Sequence, residues 1–417
     1  MAFYSDSNVR TRILDPRIFV PGARATFELD ASEAAYLPNL RLGLVGVTSD
    51  ALAYNRLVGT QALIRSIRIL DGKQELSALN EAQFYRGFQN QNKTNASAEA
   101  VSSNLLCNGV GLTIKGLDST IARVAKTLNA DTTTATTNSA LINLSEYLPF
   151  LSAMTHLPTS VFKNLRVEIE MNDNALQQIL GRNDTANIAT LRPILIVDVL
   201  ENPTIVDKLN KNLSAVQWSE VEHDQFVIPQ SANDGGANDQ LIAQEVNVKL
   251  NGYNNKILDR LLMVKEIADA DKEINTAVVQ GYGKWSSQAC YDQSIQWRVN
   301  GSNILPRNGI VGNNERLGYV VDTYGDCANY PGSNVYGMDI SLTMEDGAQF
   351  LGQLDYTAIY IGQYIQDLQI EYKRVGLEDT TKKRATTSTL IAHTYGEVRK
   401  QWQMIGNGMY NISYVQA

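Results

Sequence analysis

The chain has 417 residues, of which 44% are hydrophobic and 19% charged, and its formal net charge is −8. This length exceeds what a single hydrophobic core usually organises, so we expect two domains of roughly 200 residues each. The acidic balance argues against a folded body that neutralises the phosphates of a nucleic acid, because such binding needs a basic surface. The one dense basic run, Lys382-Lys383-Arg384, lies in a Thr-rich stretch and is interpreted as a solvated loop. We therefore expect no sequence-specific nucleic-acid binding.

The cysteines and the apolar runs indicate the compartment. Cys107, Cys290 and Cys327 are odd in number and far apart, which fits neither a disulfide framework nor a zinc site and suits a reducing compartment. Residues 1–10 contain no apolar run typical of a signal peptide. No stretch approaches the ~18 consecutive apolar residues that cross a bilayer. We expect synthesis inside a cell, without a signal peptide.

The chain begins with a polar segment, residues 1–20, which contains three arginines and a Pro16 that disfavours a helix. It is predicted to form an N-terminal arm that orders against a neighbouring molecule. A first domain is predicted over residues 21–202, and its early strands over 23–29 and 40–47.

Turn signals are spread along the whole chain. Asn-Gly and Asp-Gly pairs favour the left-handed backbone conformations that two-residue hairpin turns require. Their number is typical of antiparallel sheets and not of helical or parallel α/β proteins. The pairs begin at Asn108, Asn251, Asn300, Asn308, Asn407, Asp71, Asp234 and Asp346.

Helices are predicted to be short and subordinate, over residues 75–88, 119–128 and 174–181. Residues 90–138 are rich in Asn, Thr, Ser and Ala, which predicts a long exposed insertion loop. Residues 276–340, rich in Gly, Tyr and Asn, are predicted to form a matching excursion in the second half of the chain.

A strand predicted over Leu165–Met171 is the clearest sign of an internal duplication. Its apolar side chains alternate strictly with polar ones, which puts one set into a core and the other into water. A similar alternation recurs over residues 368–373. Two further pairs recur in the same order, 62–70 with 256–264 and 193–200 with 390–398. We infer two copies of one all-β unit.

The second copy is predicted to follow a connector. Residues 203–217 are predicted to form a linker that contains a short capped helix. A second domain is then predicted over residues 218–417. Its strands are predicted over 225–228, 246–250, 295–299 and 409–415.

No cluster of residues points to a reaction. His156, His223 and His393 do not have the spacing of a metal site. His156 is predicted to hydrogen-bond where a loop meets a strand, and His223 beside Asp224 is predicted to lie in a surface turn. A nucleophile elbow, a Walker loop and a dinucleotide-binding fingerprint are all absent from the sequence. We predict no catalytic, cofactor-binding or metal-binding residue, and no enzymatic activity.

Two features leave a carbohydrate-active or carbohydrate-binding β-sandwich open as an alternative. Glu168 and Glu170 share one face of a strand, and paired carboxylates are the catalytic groups of glycosidases. Their position beside Arg166 favours a solvated or interface face instead. Aromatic residues of the loops are suited both to stacking on sugars and to anchoring protein contacts: Tyr282, Trp285, Tyr291, Tyr330 and Tyr336. A trimeric receptor-binding spike is a further alternative, although the chain lacks long shaft repeats.

Several stretches resemble the major capsid proteins of polinton-like viruses and virophages. The resemblance covers nearly the whole chain, and the order of the stretches is its specific feature. In the first half they are residues 36–41, 54–59 leading into 67–72, and 156–162. In the second half they are residues 250–255, 298–301 with 303–306, and 330–336.

The resemblance implies an all-β fold, the double jelly roll, made of two tandem antiparallel eight-stranded β-sandwiches with short helices in the connecting loops. It implies a homotrimer whose six jelly rolls form a pseudo-hexameric capsomer. Such capsomers tile the icosahedral shell of a double-stranded DNA virus, often above a lipid layer. The implied partners are further copies of the chain, penton proteins and minor capsid proteins, and the implied location is the virion. We expect residues 90–138 and 276–340 to clasp neighbouring copies, and the arm to brace the inner side.

Overall fold

A computed structural model describes residues 8–45, 61, 64–91, 140–172, 192–229, 244–267, 292–306, 309–310, 313–325, 355–374, 389–406 and 408–416. The predicted helices over 119–128 and 174–181 lie outside these residues, as does nearly all of the predicted loop 90–138. The part of segment 276–340 that is described contains two strands and a helix, so that segment is not one continuous loop.

The described residues form strands in both halves. The first half contains β1 (Val9–Leu14), β2 (Ile18–Val20), β3 (Arg24–Glu28), β4 (Ala35–Tyr36), β5 (Arg41–Val45), β6 (Ile64–Asp71), β7 (Gln74–Leu79), β8 (Ala140–Asn143), β9 (Leu157–Pro158), β10 (Leu165–Met171) and β11 (Arg192–Leu200). The second contains β12 (Ala215–Ile228), β13 (Gln244–Lys249), β14 (Lys256–Ile267), β15 (Asp292–Val299), β16 (Ser302–Asn303), β17 (Asp355–Ile365), β18 (Leu368–Arg374), β19 (Leu390–Gly406) and β20 (Met409–Tyr414). The α-helices are Ala82–Gln91, Pro149–Ala153, Pro203–Asn212 and Asn313–Tyr324.

Each half consists of two antiparallel sheets with the same strand order. In the first half one sheet runs β1-β11-β5-β8, with β4 and β9 continuing β5 and β8, and the other runs β2-β3-β10-β6-β7. In the second half the sheets run β12-β19-β14-β17, with β20 beside β19, and β13-β18-β15-β16. In the first half β1 pairs with β11, and in the second half β12 pairs with β19, so each half opens on a strand that pairs with its closing strand or the one before it, which is the jelly-roll arrangement. The predicted double jelly roll is confirmed.

The matching strand orders also test the repeated segments found in the sequence. β10 corresponds to β18, and β11 corresponds to β19, because each pair occupies the same place in its half. The third pairing, β6 with β14, is wrong. β6 lies beside β10, whereas β14 lies in the sheet opposite β18, and the true counterpart of β6 is β15. An apolar run signals burial but not the position of a strand in a sheet.

Three predicted boundaries differ from the strands that form. Within the predicted arm 1–20, β1 pairs with β11 along its whole length, and β2 pairs with β3. Within the predicted linker 203–217, the helix is capped by Asn202, whose side chain accepts a hydrogen bond from the Thr204 amide, and β12 begins at Ala215. The helix predicted over 75–88 begins only at Ala82, because the residues before it form β7, which pairs with β6.

Gly396 of β19 makes room for a buried tyrosine of the second jelly roll. A Cβ atom at this position would lie 2.4 Å from Cε1 of Tyr253. The Tyr253 ring is fully buried, and its hydroxyl donates a hydrogen bond to the Thr394 carbonyl at 2.9 Å. The strand therefore needs a residue without a side chain where the ring crosses it.

Gly396→Ala is expected to lower the free energy of unfolding by about 1 to 3 kcal/mol, because the methyl group overpacks the Tyr253 site. Gly318→Ala is the matched control, since Gly318 is helical and a Cβ there has no atom within 4 Å. Alanine in an exposed helix raises stability by roughly 0.5 to 1 kcal/mol. Urea unfolding of both variants measures the two changes, and equal stability of the two variants would contradict the steric argument.

Candidate functional site: the interface between the two jelly rolls

One sheet of the second jelly roll, β12-β19-β14-β17, is buried on both faces in its central part. Along β14, Leu261 and Met263 belong to the core of the second jelly roll. Leu262 and Val264 alternate with them and belong to the apolar cluster of the first jelly roll. All four side chains are fully buried, two on each face of the strand. Burial on both faces explains why residues 261–264 are apolar at every position. We call the contact made by the outer face of this sheet the inter-roll interface.

Aromatic rings from both halves pack together at the inter-roll interface. Such pairs add stability beyond the area they bury, because ring edges and faces attract each other. The first-half rings come from the Ala82–Gln91 and Pro149–Ala153 helices and from Phe162. The pairs and their centroid distances are Phe84–His393 at 4.4 Å, Tyr85–Tyr395 at 5.4 Å, Phe88–Tyr356 at 4.9 Å, Phe150–Trp218 at 5.2 Å and Phe162–Trp402 at 5.8 Å.

A buried carboxylate, Glu220 of β12, joins the two halves through hydrogen bonds. From the first half it accepts bonds from the Ser77 hydroxyl at 2.8 Å and the Ala78 amide at 3.2 Å. From its own strand it accepts a bond from Nε1 of Trp218 at 2.6 Å. Burial raises the pKa of Glu220, and the positive charge of Lys400 and these bonds oppose that rise. The carboxylate therefore fixes the position of β12 against β7 of the first jelly roll.

Two tyrosines add further bonds between the halves. The Tyr395 hydroxyl donates to the Glu81 carbonyl at 2.7 Å, and the Tyr410 hydroxyl donates to Oδ2 of Asp71 at 2.8 Å. Glu81 has a φ of +46°. This left-handed conformation is unusual for a residue with a side chain, and here it turns the chain between β7 and the Ala82–Gln91 helix.

A polar cleft of about 350 Å³ opens at one end of the inter-roll interface. Its walls include Arg65, Glu81 and Glu170 of the first half and His223 and Asp224 of the second. His223 lies within β12 and not in the surface turn predicted from the sequence, because strand pairing with β19 continues through it. The turn prediction was wrong.

His223 is hydrogen-bonded to a second histidine behind the cleft. Its Nε2 lies 3.0 Å from Nδ1 of His393, whose ring stacks on Phe84. Burial lowers the pKa of His223 to about 3, and repulsion from His393 adds to the effect while the negative charge of Glu81 opposes it. The pair is accommodated only when His223 is neutral.

Acidification is therefore expected to weaken the folded protein. The folded-state pKa of His223 lies below its unfolded value near 6.5. Its contribution to the free energy of unfolding is therefore complete above pH 6.5 and is lost as the pH falls towards 3. Between these limits each pH unit removes up to about 1.4 kcal/mol. Urea unfolding at pH 7 and pH 5 measures the slope.

The comparison variant for the pH experiment is His223→Gln, which stays neutral at both values. Burial also lowers the pKa of His156, so both histidines contribute to the pH dependence of wild-type stability. The contribution of His223 is the difference between the pH dependences of the wild type and the variant. The variant is expected to lose less stability on acidification than the wild type. Parallel pH dependences would show that His223 does not carry the effect.

The remaining sequence-predicted residues have structural partners. His156 donates from Nε2 to Oδ1 of Asn210 at 2.7 Å just before β9, so its predicted hydrogen bond is confirmed. Glu168 accepts a bond from Nε of Arg68 at 2.7 Å, and Glu170 accepts one from the Ser66 hydroxyl at 2.9 Å, so each carboxylate has its own partner on β6.

The described residues contain no group of three or more His, Cys, Asp or Glu side chains placed to hold a metal ion. Among the same residues, no helix is long and apolar enough to span a membrane. The loop aromatics named as sugar-binding candidates, the three cysteines and the Lys382-Lys383-Arg384 run lie outside the part of the chain that the structure describes.

Solved structures with similar folds come from large DNA viruses and virophages. The crystal structure of the mavirus major capsid protein matches with a TM-score of 0.58 at 10% identity, over 99% of this chain and 91% of that one. PBCV-1 VP54, fitted into a reconstruction of the virophage Sputnik, matches with a TM-score of 0.55 at 10% identity, over 98% and 97%. The Faustovirus major capsid protein matches with a TM-score of 0.54 at 6% identity, over 95% and 90%.

No protein-family model matches the chain, and no curated protein matches its sequence. The structural likenesses extend along nearly the whole chain and show its fold. They place it among the double jelly rolls, the class to which these capsid proteins belong.

Proposed function

We propose that the chain is a major capsid protein that forms homotrimeric, pseudo-hexameric capsomers in the icosahedral shell of a double-stranded DNA virus. The observation that carries this proposal is the double jelly roll itself, which extends over the chain and is similar over its whole length to capsid proteins. The fold alone does not define a function, so the inter-roll interface supplies the second support.

The inter-roll interface suits a building block. Buried ring pairs and the Glu220 bonds hold the two jelly rolls in one orientation. A rigid pair can present fixed surfaces to its neighbours, and assembly then needs no conformational change. A stable trimer would bury interfaces well above the ~1,600 Å² of an ordinary complex. The protein would function by burying surface between its copies during assembly, with no reaction catalysed.

The proposed partners are other copies of the chain within and between capsomers, together with penton and minor capsid proteins. An internal membrane is a further proposed partner, as in part of the family that the sequence resembles. The proposed location is the capsid shell of the virion.

Multi-angle light scattering and negative-stain imaging of the purified protein test the proposal. We expect a trimer mass, particles with a six-lobed outline, and closed shells when the minor proteins are co-expressed. A protein that stays monomeric at high concentration would refute the capsomer, and a glycan array or a hydrolysis screen would then test the carbohydrate alternative.

The proposed bracing role of the N-terminal segment is tested by a deletion that stops before β1. A deletion that included β1, whose Leu14 packs on the first core, would damage the sheet. Removal of residues 1–7 is expected to leave the midpoint of thermal unfolding and the trimer unchanged and to reduce the yield of closed shells. Imaging and light scattering measure both, and wild-type shell yields from the short deletion would end the bracing role.

A further inference from the structure

Four lysines at one end of the first jelly roll lack a charged partner. Within the described residues, Lys73, Lys163, Lys208 and Lys211 are exposed and form no ion pair. The other described lysines are engaged, four of them with carboxylates and one above an aromatic ring: Lys249, Lys256, Lys373, Lys400 and Lys265. The unpaired charge of the described lysines is thus concentrated at one place in the fold.

Two of these lysines lie in loops that are bonded to each other. Lys73 follows Gly72 in the turn between β6 and β7, and Lys163 precedes Asn164 in the loop that leads to β10. The Gly72 amide donates a hydrogen bond to the Asn164 carbonyl at 3.0 Å. Both lysines therefore lie at the same end of the sheet that β6 and β10 share.

The other two lysines lie on the Pro203–Asn212 helix, which packs at the same end. The bond between His156 and Asn210 ties this helix to the segment that leads to β10. Lys208 and Lys211 are three positions apart on the helix, a spacing that places them side by side on its exposed face.

The hairpin between β19 and β20 adds exposed apolar side chains. Ile405 is 67% exposed and Met409 is 60% exposed. The pairing register shifts between Met404 and Gly406, so Ile405 has no partner on β20. A bulge of this kind leaves the extra residue unpaired and bends the strand. The tip of the hairpin therefore presents two large apolar residues to solvent.

Two contacts place the hairpin tip among the lysines. The Met404 amide donates to the Ser214 carbonyl at 3.0 Å, just after the helix that carries two of them. A Cβ atom at Gly408 would lie 3.3 Å from the carbonyl oxygen of Ser160, in the loop that carries Lys163. Apolar and basic side chains thus share one surface.

We call the surface formed by Ile405, Met409 and the four lysines the basal patch. Its composition matches an anionic lipid bilayer, because lysines are attracted to anionic headgroups and apolar side chains enter the boundary between headgroups and acyl chains. Exposed Glu75 and Asp207 adjoin the patch and offset part of its charge, so the apolar tip has to contribute to binding. Duplex DNA offers negative charge but no apolar layer, so the bilayer fits the patch better.

The basal patch lies at the end of the molecule where β1 begins. The Glu201 amide donates to the Asn8 carbonyl at 3.1 Å, immediately before the helix that carries two of the lysines. The bracing role proposed for the segment before β1 assigns this end to the inner side of the shell. The patch would then face the material that the shell encloses.

We propose that the basal patch docks the protein on an anionic lipid bilayer beneath the shell. The inference rests on the proposed capsid function, and it names the surface and the class of lipid through which an internal membrane is bound. The formal net charge of the chain is −8, so an anionic bilayer repels the molecule as a whole. Docking is therefore end-on, with the hairpin tip in the headgroup layer and the lysines against the headgroups.

Co-sedimentation with lipid vesicles tests the basal patch in the full chain. The wild type is expected to bind phosphatidylcholine vesicles that contain about 25% phosphatidylserine, and not vesicles of phosphatidylcholine alone. Each lysine near an anionic leaflet strengthens binding about fivefold, so a variant that combines Lys163→Gln with Lys211→Gln is expected to bind about 25-fold more weakly. A variant that combines Ile405→Ser with Met409→Ser is expected to bind about tenfold more weakly, because its tip no longer enters the headgroup layer.

The matched control for the lysine variant removes the same charge at the opposite end of the jelly rolls. It combines Arg24→Gln with Lys373→Gln. Arg24 pairs with Glu170 at the end of β10 away from Lys163, and Lys373 lies near the end of β18 away from its connection to β17. This control is expected to bind the anionic vesicles as the wild type does.

Weaker vesicle binding by both patch variants, with wild-type binding by the control, supports the proposal. Equal binding by the wild type and the lysine variant, or no binding by the wild type, overturns it. Binding of duplex DNA through the same lysines in place of the vesicles overturns it as well. Light scattering separates these results from the fate of the capsomer: a trimer that does not bind vesicles leaves the capsomer intact, whereas a monomer that binds them through the patch refutes the capsomer alone.

Discussion

Glu220→Ala is expected to lower the free energy of unfolding by about 3 to 5 kcal/mol, because it leaves buried donors without an acceptor. The Ser77 hydroxyl, the Ala78 amide and Nε1 of Trp218 all donate to this carboxylate. The substitution also removes the attraction between the Glu220 carboxylate and the positive charge of Lys400, which favours the ionised form of Glu220. Urea unfolding followed by tryptophan fluorescence measures the loss.

Glu245→Ala is the control for the Glu220 experiment. Glu245 pairs with Lys373 at 2.5 Å on the surface of the second jelly roll, and its side chain is 64% exposed. Exposed ion pairs contribute only about 0 to 1 kcal/mol, so this variant is expected to unfold close to the wild type. A loss at Glu220 no larger than that at Glu245 would show that the buried carboxylate does not hold the halves together.

Trp402→Ala is the second large effect, with an expected loss of about 3 to 5 kcal/mol. The Trp402 side chain is fully buried, and its ring lies between Phe162 of the first half and Tyr410 of the second. The substitution leaves a cavity that neither jelly roll can fill alone. Calorimetry is expected to show a lower midpoint and a separation of the single transition into two, since the coupling between the halves is weakened.

Met409→Ala is the control for Trp402, because Met409 lies on the neighbouring strand β20 with 60% of its surface exposed. Its removal is expected to change stability by less than about 0.5 kcal/mol. A Trp402→Ala protein that still unfolds in one transition at the wild-type midpoint would mean that the inter-roll interface contributes little.

Local patterning predicted those strands whose two faces differ. β10 was predicted at its observed bounds, because its apolar side chains face the first core and its polar ones face outward. β1 was missed for the opposite reason. It is an edge strand in which Arg10 and Arg12 form ion pairs with Glu33. Its sequence is therefore typical of a polar segment, although the strand completes a sheet.

The inter-roll interface was not predicted, because its contacts join residues far apart in sequence. Nothing local to β7 identifies Ser77 as the partner of Glu220, and nothing local to His223 identifies His393. One signal was present. The run Leu261–Val264 is apolar at every position, which indicates a strand buried on both faces and hence a second layer against it. Of the helix-borne aromatics that form this layer, Phe84, Tyr85 and Phe88 were predicted only as part of the helix over 75–88, and the helix that carries Phe150 was not predicted.

The doubly buried sheet also has a consequence for how the protein is made. Because synthesis proceeds from the N-terminus, Phe84, Tyr85 and Phe88 leave the ribosome long before Tyr395 and Trp402 exist to cover them. Until the chain is released, the nascent first jelly roll would expose this aromatic surface to solvent. The neighbouring nascent chains of a polysome would lie close enough to associate through it. β19, one of the last strands to be translated, is thus among the strands that shield the first half, and chains truncated before β19 are expected to aggregate more readily than the full chain.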